Sequence, residues 1–204
     1  MAAGDTDVSI CSEALILLGQ TAITSFDDGT AGAGAASKIY PKVKSSTLGM
    51  YPWTFTLAKV QLGRLSAAPT NVWTYAYQLP AQMLTGVPRR VFASDSVGAN
   101  VIKDYEIQGN QLLTDFTKIF VDFQQTVDEQ SMPDYFVKLL TYQMAWHLAI
   151  PITDQATMLD TYRTIALGPT SESGRGGYFR TATNIDSAGQ STTVIGDYLL
   201  TEVR

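Results

Sequence analysis

The sequence predicts an α+β protein: a helical bundle of about four helices, an inserted small antiparallel β-sheet, and an extended C-terminal arm. Three observations predict it. Apolar residues recur at helical spacing before residue 50 and again after residue 131. Between residues 51 and 130 the period falls to two, with turn residues between the runs. After residue 168 the chain becomes rich in Gly, Ser and Thr, with its bulky apolar residues crowded towards residue 203. The expected organisation is one domain over 1–167, with helices in 5–50 and 131–167 and a β-rich insertion in 51–130. An arm over 168–204 follows.

The first helix is expected over Asp5 to Leu18. Val8, Cys11, Ala14, Leu15 and Leu18 share one side, and Gly19 suits the position just past the end. Cys11 on that side reads as a buried small hydrophobe, and Ile16 among the polar positions as one exposed apolar residue needing no explanation. Thr24 to Gly34, TSFDDGTAGAG, reads as a flexible connection. Its glycines suggest a phosphate loop only weakly, because no lysine follows and no strand clearly precedes it.

Ala36, Ile39, Tyr40, Val43, Thr47 and Met50 then recur at helical spacing. Pro41 is expected to kink this helix or to start a second segment, and Pro52 to close it. In the insertion, Trp73, Tyr75, Tyr77 and Leu79 alternate with polar or small neighbours, as do Val101 to Gln108 and Ile119 to Phe123. Gly109-Asn110 reads as a tight hairpin turn into Gln111–Thr114. The stripe through Tyr75 and Tyr77 reads as core, since a base-stacking platform needs basic neighbours and Arg89-Arg90 is the only adjacent pair.

Ser131 to Ile150 is the expected centre of the bundle. Ser131 is placed as N-cap, Pro133 in the first turn, and Pro151 as the stop. On a helical wheel Tyr135, Leu139, Tyr142, Trp146, Ala149 and Ile150 form one apolar arc. Val137, Leu140, Met144 and Leu148 form a second. A surface helix carries one stripe. Two stripes imply packing on both sides, by two layers of its own chain or by its own chain and a neighbouring subunit. Lys138, Gln143 and His147 argue against a membrane span. Thr153 can cap a further helix, Asp154 to Leu167, which Gly168-Pro169 ends.

Composition bounds the function. The chain has 204 residues, 45% of them apolar, enough for a real core. Its formal net charge is -5, from 14 basic and 19 acidic residues, which argues against gripping nucleic acid through a basic face. A single cysteine excludes an internal disulfide and a cysteine-based zinc site. MAAGDTDVSI lacks a basic stretch followed by an apolar core, so no secretory signal is expected, and the chain reads as soluble and cytoplasmically made. No catalytic constellation emerges. His147, the one histidine, reads as a satisfied polar residue between two packed layers. Asp27-Asp28 and Asp128-Glu129 read as turn and cap residues. No cofactor or metal is expected.

The order of four short motifs is informative. Tyr40 and Leu48 precede Pro52-Trp53-Thr54-Phe55. Then come Tyr75-Ala76-Tyr77-Gln78-Leu79-Pro80 and Tyr105-Glu106-Ile107-Gln108-Gly109 leading to Leu113-Thr114. Pro133-Asp134-Tyr135-Phe136, leading to Leu148-Ala149-Ile150-Pro151-Ile152-Thr153, is last. From about Val8 to Ala166 this resembles the head-to-tail adaptors of tailed bacteriophages, the group called tail tubular protein A in short-tailed phages. Ala81-Gln82 depart from the acidic residue the family often carries after its Leu-Pro motif, and the region after Gly168 matches no pattern.

The resemblance implies a helical bundle with a β-rich insertion and no enzymatic activity. It also implies a ring, usually twelvefold, between the portal and the tail of the virion. Such a ring would contact the portal protein and the next tail or nozzle protein, and DNA would pass through its lumen without specific binding. Tail-completion or stopper protein is the alternative within the same class. A tail-associated hydrolase and a non-viral binding module lie outside it. Expected interface residues are Leu140 and Trp146 on the central helix and Tyr198, Leu199, Leu200 and Val203 in the arm.

Overall fold

A computed structural model describes residues 5–96 and 99–189. It is an α+β fold with five helices and two small antiparallel sheets among the described residues. Helix α1, Asp7–Leu17, starts at Thr6, whose hydroxyl accepts from the Ser9 amide while Ser9 Oγ accepts from the Thr6 amide. Ile10, Cys11, Ala14 and Leu15 bury its inner side. Helix α2, Ala31–Gly49, is capped by Thr30, which accepts from the Ala33 amide. The sequence left two readings of Pro41, and the helix runs through it unbroken. Pro41 lies on the exposed side of the helix.

Helix α3, Asp134–Thr153, is the centre of the bundle and packs against α1, α2, α4 and α5. Helices α4, Ala156–Leu167, and α5, Gly177–Ala188, complete it. The second apolar arc of α3 is therefore covered by its own chain, and the first only in part, with Tyr135, Tyr142 and Trp146 half-buried. Leu139, Ala149, Val137, Leu140, Met144 and Leu148 are buried, while Ile150 is 41% exposed. Pro133 is the residue at the N-cap, and Ser131 instead closes a 3-10 turn, Glu129–Ser131. Pro151, expected as the stop, is exposed and lies inside the helix, which ends where Asp154 turns left-handed at φ 53. Thr153, expected to cap a helix from Asp154, is instead the last residue of α3 and donates to the Ala149 carbonyl; α4 starts at Ala156 after Gln155, with no side-chain cap.

The insertion forms two three-stranded sheets where the sequence suggested one. Strands β1 (Leu57–Gln61), β6 (Phe120–Gln124) and β3 (Arg90–Phe92) pair in the order β1-β6-β3. Strands β2 (Tyr75–Gln78), β5 (Gln111–Thr114) and β4 (Glu106–Gln108) pair as β2-β5-β4. Gly109-Asn110 makes the expected two-residue turn: Gln108 faces Gln111, and Gly109 supplies the positive φ of 58. The sheets share a core of their own, with Val91, Val121 and Phe123 from one and Tyr77 and Leu112 from the other. Tyr77 is buried as expected, its hydroxyl donating to the Phe116 carbonyl at 2.7 Å.

The expected arm over 168–204 needs correction where it is described. Residues 177–188 are helix α5, with Phe179, Ala182 and Asp186 buried on one stripe. Two of the glycines there, Gly176 and Gly177, serve close packing. A Cβ on Gly177 (φ +54) would sit 2.6 Å from both the Gly168 amide nitrogen and the Ile165 carbonyl oxygen, so only glycine lets the start of α5 approach the end of α4. The remaining part of the arm, with Tyr198, Leu199, Leu200 and Val203, lies outside the described residues.

Candidate functional site

Three polar clusters and two surface clefts carry the chemistry of the described residues. The first cluster forms around Pro52-Trp53-Thr54-Phe55. Trp53 is fully buried and donates through Nε1 to the Thr47 carbonyl at 3.2 Å. Phe136 and Phe179 meet it edge-on, with ring centroids 5.1 and 6.0 Å away, and Tyr51 does so at 5.0 Å. Above this aromatic core lies Asp186 of α5, 3% exposed. Its carboxylate accepts from the Thr54 amide at 3.1 Å, the Thr54 hydroxyl at 2.7 Å and the Tyr135 hydroxyl at 2.6 Å. Burial, with the bond to Asp186, raises the Tyr135 pKa. One carboxylate thus ties α5 to the entry of the β-insertion and to the start of α3. The sequence reading missed Asp186; the spacing Phe179, Ala182, Asp186, one helical stripe, was the available signal.

The second cluster is Glu129, which accepts from Lys44 Nζ at 2.7 Å and from the Tyr40 hydroxyl at 2.8 Å. Burial alone would raise the Glu129 pKa. The Lys44 bond, a backbone amide and Tyr40 outweigh it and hold the carboxyl below its ordinary value. The same burial, with Glu129 beside it, pushes the Tyr40 phenol up. Glu129 is therefore more than the turn residue the sequence suggested: it pins the exit of the insertion to α2. Gln124 acts likewise, its amide donating to the Leu48 and Tyr51 carbonyls and to Thr56 Oγ1.

The third cluster decides the phosphate-loop question. Asp28 accepts from the Thr24 amide at 2.7 Å, the Ser25 amide at 3.1 Å and the Thr24 hydroxyl. These amide bonds hold its carboxyl below the ordinary pKa. The loop fills its own anion-binding amides with its own anion, which opposes phosphate there.

His147 is exposed, not held between layers as expected, because α3 turns that side to solvent. Its ring packs on Trp146 with centroids 4.2 Å apart, and partial desolvation lowers its pKa. Neither a carboxylate nor a nucleophile hydrogen-bonds to it among the described residues. Cys11 is fully buried and its thiol is pushed up to about 12, chiefly by burial, which makes it a poor nucleophile at neutral pH. Among the described residues, no group of three or more His, Cys, Asp or Glu is arranged to hold a metal ion, and no helix is long and apolar enough to cross a membrane.

Of the expected interface residues, Leu140 is fully buried within its own subunit, so it belongs to the core and not to a partner contact. Its arc is covered because the chain itself supplies both flanking layers. Trp146 is half-buried, and Tyr198, Leu199, Leu200 and Val203 lie outside the described residues.

Two clefts flank α3. One lies against α1, with Ile16, Leu17, Val137 and Tyr142 as its apolar part and Asp5, Glu13 and Asp134 as carboxylates. The other lies against α2, with Ile39 and Val43 between Lys38, Lys42 and His147. Neither has the enclosed polar geometry of a catalytic site. Compared with known proteins, the chain matches no family model and no curated protein sequence.

Proposed function

We propose that this chain is a structural protein of a tailed-phage neck: a head-to-tail adaptor whose copies form a ring between portal and tail. The ring would extend the DNA channel and offer a docking surface to the next tail protein. The observation that carries this reading is how the four motifs meet. Pro52-Trp53-Thr54-Phe55 packs on Pro133-Asp134-Tyr135-Phe136, with Trp53 and Phe55 each 5.1 Å from the Phe136 ring. Tyr75-Ala76-Tyr77-Gln78 pairs with Gln111–Thr114, which pairs in turn with Glu106-Ile107-Gln108. Runs far apart in sequence thus build the two cores and the junction between bundle and insertion. The runs that carry the resemblance are therefore also runs that hold this fold together, which supports the reading.

Further support comes from Asp186 and Glu129, whose carboxylates hold elements together. The net charge of -5 suits a channel wall that repels phosphate and lets DNA slide. Negative-stain electron microscopy of the concentrated protein tests the reading. It predicts annular particles with an open centre. Compact single subunits in every field would contradict it.

A further inference from the structure

The two clefts beside α3 are opposite in charge and lie on opposite sides of that helix. At about 100° per residue, His147 points roughly 150° away from the mean direction of Val137, Lys138, Thr141 and Tyr142. The α1 side is a cleft of about 440 Å³ with exposed apolar side chains. Ile16 is 56% exposed and Leu17 36%, with Glu13 one turn before them and Asp134 across the cleft. The one cation there, Lys138, is turned over the ring of Tyr178 at 5.3 Å. The α2 side is recessed: Ile39 and Val43 line a cleft of about 420 Å³, with Lys38 and Lys42 exposed along one edge and His147 at the other. No acidic residue lines it. A second basic cleft, with Arg175 and Arg180, lies between α5 and Met50, Tyr51 and Pro52, and lacks the aliphatic pair that Ile39 and Val43 provide.

We propose that the α1/α3 face of one copy docks on the α2/α3 face of the next. Ile16 enters the cleft between Lys38, Lys42 and His147, and Glu13 and Asp134 meet the two lysines. The occupant of each cleft is a second copy of this chain. Apolar side chains meet apolar side chains, carboxylates meet ammonium groups, and the two faces do not overlap. Different patches on opposite sides make a head-to-tail contact, which closes into a ring when its rotation divides the circle. The inference rests on the ring reading above and adds which surfaces make it.

The test uses two double variants at exposed positions, E13K/I16K and K38E/K42E, each checked for native circular dichroism. Assembly is read by native mass spectrometry beside the wild type. Each variant alone should stay monomeric where the wild type assembles, because like charges then face each other. Mixed in equal amounts, they should assemble again with alternating copies, since each reversed face meets a reversed partner. Wild-type-like assembly by the separate variants would overturn this interface and leave the ring standing, with these faces free for portal or tail protein. Failure of two folded variants to assemble when mixed would overturn it as well. A wild type that never assembles would remove the interface and the ring together.

Discussion

Asp186 accepts hydrogen bonds from two other elements through one buried carboxylate, so its removal leaves the Thr54 amide and the Tyr135 hydroxyl without their partner. Asp186→Ala should cost about 2–4 kcal/mol, the scale of stranded buried donors, read as a fall in the urea midpoint. An unchanged midpoint would mean that water replaces the carboxylate. At Glu129 the prediction concerns pH. Its folded pKa lies below the ordinary value, so its contribution is present above the unfolded pKa and is lost as pH falls through the folded one. Lys44→Met removes the bond that outweighs burial, so Glu129 should protonate at higher pH. The acid-unfolding midpoint, followed by tryptophan fluorescence, should then rise. The sequence made Tyr77 legible, because its place in an alternating stripe announces burial, whereas Trp53 and Phe136 stood out only as members of short motifs. Asp186 and Glu129 were not legible, because an acidic residue looks solvated until its donors, remote in sequence, come beside it.

Elements were legible where one physical signal acted alone. The period of α3 and the Gly109-Asn110 turn follow from spacing and from the residue that takes positive φ most readily. The 3-10 turn and strand after Trp53 were missed because Leu57–Gln61 is largely exposed and shows no alternation of burial. Pro41 and Pro151 misled because the expected break assumes a buried backbone, whereas both lie on exposed helix sides. Helix α5 was hidden by glycines that serve backbone contact. It gives the sharpest test at this scale. Truncation after Gly168 removes Phe179, Ala182 and Asp186 from the bundle and should leave a protein without a cooperative thermal transition. Truncation after Gly189 keeps them and should melt close to the full chain. Gly177→Ala, which would force a Cβ into the end of α4, should lower the melting temperature of the full chain by several degrees, on the order of 1–3 kcal/mol of strain.

For the whole molecule, the bundle core and the sheet core are joined through Trp53, Gln124 and Asp186, and this junction accounts for the order of the four motifs. Charge also acts at this scale. A chain of net charge -5 should not retain duplex DNA at physiological salt, and measurable binding with a steep salt slope would contradict a passive channel wall. The neck-ring reading itself is tested most directly by the mass of the wild-type particle. Native mass spectrometry over a concentration series should give a closed assembly at one fixed multiple of the 22.2 kDa subunit, reached without a ladder of ever larger species. A subunit that stays monomeric at every concentration, or grows without closing, would contradict the account.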